Sequence, residues 1–420
     1  MALGPLMYID PGTGSMLFTV LIGVLTAAVY FFRKLWIRVR FMLSGGRRGK
    51  EAENHIPFLI FTDDKRYWNT FRPLCEEMDR RGENVVYWTA SPDDPALKES
   101  FEHVRAEFIG EGNRAFARMG MADADVVLSS TPGLDVYQWK RSRAVSRYVH
   151  IPHMATDLTT YRMYGLDYYD SVMLTGPYQE EPMRKLEAMR KLPPKELPLV
   201  GVLYMDEMRR RLLAAEPMPE HPVTVLLAPS WGPSGILRRY GGDIIEALLK
   251  TSFRLIIRPH PQSFTSEKEL MDDLMSRYPD SEQLHWDRSN DNFETLRRSD
   301  VLISDFSGVI LDFALVFDGP VICADTDFDK SVYDAWFLKE ELWILSRLDS
   351  LGPRLTRESL PEIGSLVQRC LSESVYREGR EQVRRECWAN VDHGAEKAAD
   401  YLQDLRSRVL AEKTGKEQEK

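Results

Sequence analysis

Short apolar runs alternate with amphipathic stretches along the chain from residue 56 onward. This alternation is typical of βα units around a parallel sheet. In the first half, the pattern predicts strands at residues 56–62, 84–89, 105–110, 125–129, 147–151 and 197–203. It predicts helices at residues 68–81, 113–119 and 177–191. We therefore expect the first half to form one Rossmann-like domain.

A proline-rich segment separates this half from the next. Residues 214–222 (AAEPMPEHP) contain three prolines in nine residues, and we interpret them as a hinge. Beyond the hinge, the pattern predicts strands at residues 223–228, 254–257, 301–304 and 320–324. It predicts helices at residues 242–249, 266–278, 292–298 and 309–317. Two doubly wound units in series indicate that a ligand binds in the cleft between them.

An uncharged stretch near the N-terminus predicts a membrane-spanning helix. Residues 15–32 (SMLFTVLIGVLTAAVYFF) are almost wholly apolar, and a helix of this length approaches the roughly 30 Å of a bilayer core. A secretory signal peptide and a buried helix are the alternatives. However, residues 1–14 contain no Lys or Arg for the basic region of a signal peptide, and the stretch has no polar stripe.

Basic residues follow the apolar stretch. Seven Lys and Arg and no acid lie between Arg33 and Lys50, so the positive-inside rule places the downstream side in the cytoplasm. We expect a single-pass protein of the inner or plasma membrane with a cytoplasmic C-terminal body.

The predicted fold class is α/β, with two Rossmann-like domains after an N-terminal transmembrane helix. The membrane helix and basic segment occupy residues 1–50, and the two domains occupy residues 51–213 and 214–405. Residues 406–420 are charged and lack an apolar period, which predicts a frayed tail.

Composition excludes several classes of protein. Hydrophobic residues make up 43% and charged residues 28% of the 420, which is ordinary for a globular chain and excludes disorder and fibres. A net charge of −9 argues against a general nucleic-acid binder. Cys75, Cys323, Cys370 and Cys387 are widely separated, with no Cys/His cluster of metal spacing. We therefore expect no disulfide framework, metal site or cofactor.

Polar residues and a glycine stand where a predicted strand passes into a helix: Ser304, Asp305, Ser307 and Gly308. The first amide groups of a helix carry partial positive charge, so this turn predicts a phosphate site. Simple capping of the helix by Asp305 or Ser307 explains the same residues equally well.

Two further strand ends on the same sheet carry candidate groups. Arg258 and His260 follow one strand, where they suit phosphate binding or protonation of a leaving oxygen, although His260 is equally compatible with an ordinary loop. Ser230, Trp231 and Gly232 follow another strand, and Trp231 suits stacking on a base as well as filling the core.

Two histidines end the strand predicted at residues 147–151, and His153 follows His150 in the sequence HIPH. A neutral imidazole there suits a general base that takes a proton from an acceptor hydroxyl. A buried hydrogen-bonded histidine and a metal pair are the alternatives, the latter without a third ligand at a recognisable spacing.

Taken together, these motifs resemble the CDP-glycerol glycerophosphotransferases, the family of teichoic acid primases and polymerases. The resemblance covers about residues 149–325. The similar segments in chain order are His153, GLDYYD at 165–170, TGPYQ at 175–179, residues 201–206, APSW at 228–231, RPHP at 258–261 and SDFSGVILD at 304–312. Two positions differ from the family pattern: Met154 stands where glycine usually follows the histidine, and Gly308 stands where a second serine usually follows the aromatic residue.

The resemblance implies a GT-B fold and transfer of a polyol phosphate, such as glycerol phosphate, from a CDP-linked donor. The acceptor would be a hydroxyl of a lipid-linked cell-envelope molecule, and CMP would be released. By position, His153 would be the base, with His150 as a rival, and His260 would contact the donor phosphate. The predicted substrate-binding residues are Ser230, Trp231, Gly232, Arg258, Ser304, Asp305, Ser307, Gly308 and Asp312.

Two other functions are compatible with the same motifs. One is a GT-B glycosyltransferase that uses a nucleotide sugar for envelope polysaccharide. The other is a membrane-tethered, non-catalytic member on a degenerate transferase fold, which Met154 and Gly308 permit. A homo-oligomer is also compatible with the sequence.

Overall fold

The computed structural model describes residues 55–289, 291–325, 327–372 and 375–418. The membrane-spanning helix predicted at residues 15–32 and the basic segment after it lie outside these described residues. Within the described part of the chain, no helix combines the length and the apolar character that crossing a bilayer requires.

Six parallel strands form the first sheet. In chain order they are β1 Ile56–Thr62, β2 Val85–Thr89, β3 Val104–Phe108, β4 Asp123–Ser129, β5 Ala144–His150 and β6 Ser171–Val172. The helices that accompany them are α1 Trp68–Arg80, α2 Asn113–Met119, α3 Glu180–Arg190 and α4 Leu203–Ala214. The spatial order β3-β2-β1-β4-β5-β6 reverses between β1 and β4, which is where doubly wound sheets open a crevice for ligands.

A second sheet of six parallel strands repeats this topology. Its strands are β7 Thr224–Leu227, β8 Arg254–Ile257, β9 Leu284–Trp286, β10 Val301–Ser304, β11 Val321–Ala324 and β12 Arg354–Leu355. Its helices up to β11 are α5 Ile236–Tyr240, α6 Gly242–Leu249, α7 Ser263–Ser266, α8 Lys268–Arg277, α9 Phe293–Arg297 and α10 Val309–Leu311. The order β12-β11-β10-β7-β8-β9 puts the switch point between β7 and β10. A π-helical turn, Asp312–Val316, continues α10.

The remaining helices follow β11 in the chain. They are α11 Trp343–Leu351, α12 Ile363–Ser372, α13 Val375–Cys387 and α14 Gly394–Gln418. Buried residues of α12 pack into the core of the second sheet, as Ile363 and Val367 show. The predicted α/β architecture with two Rossmann-like domains is present.

One predicted strand is wrong. Residues 197–203 form only isolated bridges, and Leu203 already belongs to α4. Pro198 has no N–H to donate to a ladder, and Gly201 turns the chain at a φ of 111°. A continuous strand is therefore excluded, although Leu199 still pairs with Leu174.

The predicted frayed tail is also wrong, because α14 continues to Gln418. Leu402, Leu405 and Val409 are each at most 2% exposed, and their spacing gives the helix one apolar face. Leu402 and Leu405 pack into the core of the first sheet. The chain thus returns from the second sheet to the first, which a linear division at residues 213 and 405 did not anticipate.

Asp206 on α4 binds the segment through which the chain returns to the first sheet. Its carboxylate accepts hydrogen bonds from Trp388 Nε1 at 2.8 Å and from the backbone N–H groups of Asp392 at 2.9 Å and Gly394 at 3.0 Å. Burial raises the pKa of Asp206 to about 6. Asp206 therefore joins α4 to the return segment at the point where α14 begins.

Candidate active site

The carboxyl edges of the two sheets contribute to one cleft of about 390 Å³. From the first sheet it is lined by residues after β1 and β5, among them Arg66, Tyr67, His153 and Met154. From the second sheet it is lined by residues after β7, β8 and β10, among them Trp231, Arg258, His260, Ser307 and Asp312. The cleft thus lies at the carboxyl ends of β7 and β10, the switch-point strands of the second sheet.

The cleft brings together six of the residues that the sequence predicted: His153, Trp231, Arg258, His260, Ser307 and Asp312. The other five, Ser230, Gly232, Ser304, Asp305 and Gly308, are not among its lining residues. Their side chains or backbones shape the turns around the cleft instead.

Asp305 organises the turn after β10. It is 1% exposed, and its carboxylate accepts hydrogen bonds from the backbone N–H groups of Ser230, Ile236 and Phe306 at 2.8 to 3.2 Å. Burial raises the pKa of Asp305, and these hydrogen bonds oppose that shift. The carboxylate therefore joins the turns after β7 and β10, and its contact with a donor stays a prediction.

Ser304 has a similar structural role. It is fully buried, and its hydroxyl donates to the carbonyl of Ala228 at 2.6 Å. Gly232 adopts a φ of 92°, a conformation that favours glycine in the loop after β7. Neither residue is among those that line the cleft, and their contact with a donor stays a prediction.

Trp231 stands beside His260 in the cleft. Its side chain is 40% exposed, and the centroids of the two rings are 6.4 Å apart at 36°. Of the two interpretations that the sequence allowed, filling the core is excluded by this exposure. An exposed indole in a cleft is suited to stacking on a base.

His260 has a defined tautomer in its neutral form. Its Nδ1 accepts a hydrogen bond from the backbone N–H of Gln262 at 3.1 Å. Since an accepting nitrogen carries no proton, the neutral ring holds its proton on Nε2. Burial, and then the charge of Arg66, lowers the pKa of His260 to about 4. At neutral pH the ring is therefore an uncharged donor through Nε2.

Arg258 is held mainly by its own domain. Its Nη1 pairs with Asp287 and donates to Ser289 Oγ at 3.0 Å, and its Nη2 donates to the Ser289 carbonyl at 2.8 Å. Burial opposes ionisation of Asp287, but hydrogen bonds from Thr295 and Ser289, together with Arg258, hold its pKa at about 2. The terminal nitrogens of Arg258 thus already have partners, so a phosphate would have to share them with Asp287 and Ser289.

The two candidate bases have different surroundings. His150 is fully buried, and its Nε2 lies 3.0 Å from the hydroxyl of Tyr161. His153 lines the cleft, and its ring packs on Tyr67 with centroids 4.7 Å apart. Burial, then Arg66 and His260, lowers the pKa of His153 to about 4. Of the two, only His153 is placed to meet a substrate.

Asp312 is a buried carboxyl group that borders the cleft. It is 6% exposed, and Oδ1 has no hydrogen-bond partner among the described residues. Burial raises its pKa to about 7. The π-helical turn that begins at Asp312 places this group, and such turns occur frequently at functional sites.

Arg66 and Tyr67 were missed by the sequence analysis, although a signal was present. They lie in the turn directly after β1, at the carboxyl edge of the first sheet. The same strand-end rule that selected Arg258 and His260 would have selected them. Burial raises the pKa of Tyr67 to about 12, so its hydroxyl stays protonated beside His153.

Residues 197–338 match the family model of CDP-glycerol:poly(glycerophosphate) glycerophosphotransferases. The predicted resemblance is confirmed. The match also confirms that the protein is a transferase, and it supports a nucleotide-activated donor. The matched segment contains the donor-side motifs, whereas His153 and Arg66 lie upstream of it.

Solved structures show the same fold at low sequence identity. A putative UDP-N-acetylglucosamine 2-epimerase from Listeria monocytogenes is 12% identical with a TM-score of 0.53, over 81% of this chain and 94% of that chain. UDP-GlcNAc 2-epimerase from Methanocaldococcus jannaschii, in complex with UDP-GlcNAc and UDP, is 10% identical with a TM-score of 0.51, over 79% of this chain and 98% of that chain. The curated proteins contain no match to this sequence. The similarity supports the two-domain fold and nothing finer.

Proposed function

We propose that the protein transfers a polyol phosphate, such as glycerol phosphate, from a CDP-linked donor to a hydroxyl of a lipid-linked envelope acceptor. One observation carries this proposal: His153 and His260 enter one cleft from different sheets. They are near enough that His260 contributes to the lowered pKa of His153. The cleft thus brings together a base for the hydroxyl of the acceptor substrate and a hydrogen-bonding group for a phosphate of the CDP-linked substrate.

The reaction is a displacement at phosphorus. The acceptor hydroxyl gives its proton to neutral His153, and its oxygen forms a bond to the phosphorus that carries the polyol. The bond between that phosphorus and the oxygen bridging it to CMP breaks, and CMP leaves with this oxygen. Phosphoryl transfer depends mainly on positioning the reactants and on stabilising the charge of the transferred group. The residues of the cleft supply both.

The second sheet supplies the donor site. The Nε2–H of His260 donates a hydrogen bond to a phosphate oxygen, and Trp231 stacks on the nucleobase. Asp312 lies on the same side of the cleft, at the start of the π-helical turn that follows α10. Its Oδ1, which has no partner among the described residues, is suited to accepting a hydrogen bond from the CDP-linked substrate.

The acceptor approaches from the side of the first sheet, where His153 and Tyr67 lie. The apolar stretch at residues 15–32 and the basic segment after it support attachment to a membrane that carries the acceptor. Attachment would raise the effective concentration of the enzyme at a lipid-linked substrate.

The test is nucleotide release by the purified full-length enzyme in vesicles that contain a lipid-linked acceptor. CDP-glycerol, CDP-ribitol and UDP-glucose are supplied in turn. We expect CMP release from a CDP-linked polyol, and loss of this activity in His260→Ala. His285→Ala is the matched control, because this exposed histidine pairs with Asp280 on the surface. Release of UMP or UDP alone, or no release from any donor, would contradict the proposal.

A further inference from the structure

The turn after β1 is rigidly placed. The carboxylate of Asp64 accepts a hydrogen bond from the backbone N–H of Arg66 at 2.9 Å, and the backbone N–H of Lys65 donates to Ser91 Oγ at 3.0 Å. The side chain of Lys65 pairs with Asp93. The position of Arg66 is therefore set by contacts within the first sheet.

Among the described residues, two guanidinium groups line the cleft, and they differ in what they already bind. The terminal nitrogens of Arg258 are engaged by Asp287 and Ser289. Arg66 pairs through Nε with Asp64 Oδ1 at 3.0 Å, and no hydrogen bond to a described residue is made by its Nη1 or Nη2. Its side chain is 42% exposed. Arg66 thus has the freer pair of terminal nitrogens.

Arg66 also acts on both histidines of the cleft. After burial, its charge is the largest cause that lowers the pKa of His153, and it is the second cause for His260 as well. Arg66 also lines the same cleft as the two rings. Under the proposed function, the phosphorus loses its bond to the CMP oxygen and gains a bond to the acceptor oxygen in this cleft.

We propose that Arg66 binds the phosphoryl group that is transferred, and that the first sheet thereby supplies the main cation of the reaction. This inference rests on the proposed function. The guanidinium can donate two parallel hydrogen bonds to phosphate oxygens, and it neutralises the negative charge of the phosphoryl group during its transfer. The segment that matches the family begins at residue 197, so this cation comes from outside it.

The inference predicts a specific binding pattern. In CDP, the β-phosphate occupies the position of the transferred group, whereas CMP lacks it. The affinity ratio of CDP to CMP therefore measures the contact that Arg66 makes. We expect Arg66→Gln to lower the affinity for CDP about tenfold or more and to leave the affinity for CMP within about twofold.

Arg72→Gln is the matched control, because this partly exposed arginine of α1 pairs with Glu76 and does not line the cleft. Arg66→Lys keeps the charge but not the fork, so we expect partial recovery of the affinity for CDP. Calorimetry measures binding, and thermal unfolding confirms that each variant folds. In addition, histidine NMR titration of the unliganded Arg66→Gln enzyme is expected to show raised pKa values for His153 and His260.

Two results would overturn the inference: an unchanged ratio of CDP to CMP affinity in Arg66→Gln, or an equal loss for both nucleotides. Failure of the proposed function is a separate outcome. If wild-type enzyme binds UDP but not CDP, the donor is wrong, and the same comparison with UDP and UMP decides the role of Arg66.

Discussion

Met154 occupies the space in which a side chain at position 308 would begin. A Cβ built on Gly308 would lie 2.7 Å from the sulfur of Met154, which is closer than van der Waals contact allows. Met154 and Gly308, the two positions at which the chain differs from the family pattern, are therefore in contact. The thioether from the first sheet fills the place that a serine on the second sheet would need, so the differences form a matched pair.

The pairing predicts coupled mutations. Gly308→Ser should push the flexible Met154 side chain into the cleft and lower kcat/KM about fivefold to tenfold, since overpacking costs about 1 kcal/mol or more. The double variant Met154→Gly/Gly308→Ser should be closer to wild type than Gly308→Ser. Nucleotide release and thermal unfolding of the four proteins measure the coupling. Simple additivity would show that the contact is incidental.

His153 is expected to act in the chemical step and not in donor binding. His153→Gln should lower kcat about 10² to 10⁴-fold, the usual contribution of a general base, and keep the affinity for CDP within about twofold. His285→Gln is the control. A variant that retains kcat would transfer the role of base to another group.

The pH dependence of the reaction follows from the burial of His153. Burial, then Arg66 and His260, disfavours the imidazolium, so the pKa is lowered to about 4 and the neutral base is present above that pH. We expect kcat/KM to lose activity towards acid near pH 4 and not near pH 6.5. A pH profile with substrate well below KM measures this. Asp312 titrates near pH 7 in the same cleft, so the profile is measured in Asp312→Asn as well. An acid limb between pH 6 and 7 that persists in Asp312→Asn would contradict the assignment.

Asp305 is expected to stabilise the fold. Asp305→Ala leaves the backbone N–H groups of Ser230, Ile236 and Phe306 without their acceptor. We expect the free energy of unfolding to fall by about 3 kcal/mol, since each unsatisfied buried group costs about 1–3 kcal/mol. Urea denaturation measures it, and Asp305→Asn, which keeps one acceptor oxygen, should lose less. Equal stability of wild type and Asp305→Ala would contradict the structural role.

Asp312 should make stability depend on pH. Burial raises the pKa of the folded state to about 7, above the ordinary value of 3.8, so the folded protein binds the proton more tightly than the unfolded chain. This stability is present below pH 4 and is lost as the pH rises to about 7. Relative to wild type, Asp312→Asn should therefore gain a few kcal/mol between pH 4 and pH 8. Parallel stability curves for the two proteins across this range would disprove the shift.

The strand ends of the second sheet were predictable because parallel strands bring their carboxyl ends to one edge. This rule places Trp231, Arg258, His260 and Ser307 around one cleft, as found. It does not show which groups at that edge are already satisfied. Ser304 ends β10 and Asp305 follows it, but backbone groups of neighbouring turns engage both residues, and these contacts are tertiary.

Arg66 escaped prediction for a different reason. The turn after β1 lies outside the segments that resemble the family, and its charged residues look like an ordinary solvated loop. Their position directly after a predicted strand is the signal that would have marked them, as it did for Arg258 and His260. The helical tail escaped because Val409 stands among many charges, and it continues the apolar face of Leu402 and Leu405, which lie before the predicted tail.

The return of α14 to the first sheet has a consequence for synthesis on the ribosome. Ala398, Leu402 and Leu405 cover apolar residues near β1, such as Phe58, yet they are translated long after it. An apolar surface of the first sheet therefore stays exposed on the nascent chain until the second sheet and α14 have been translated. A chaperone that shields this surface, or a truncation that removes its cover, is expected to change the yield of soluble protein more than its catalytic rate.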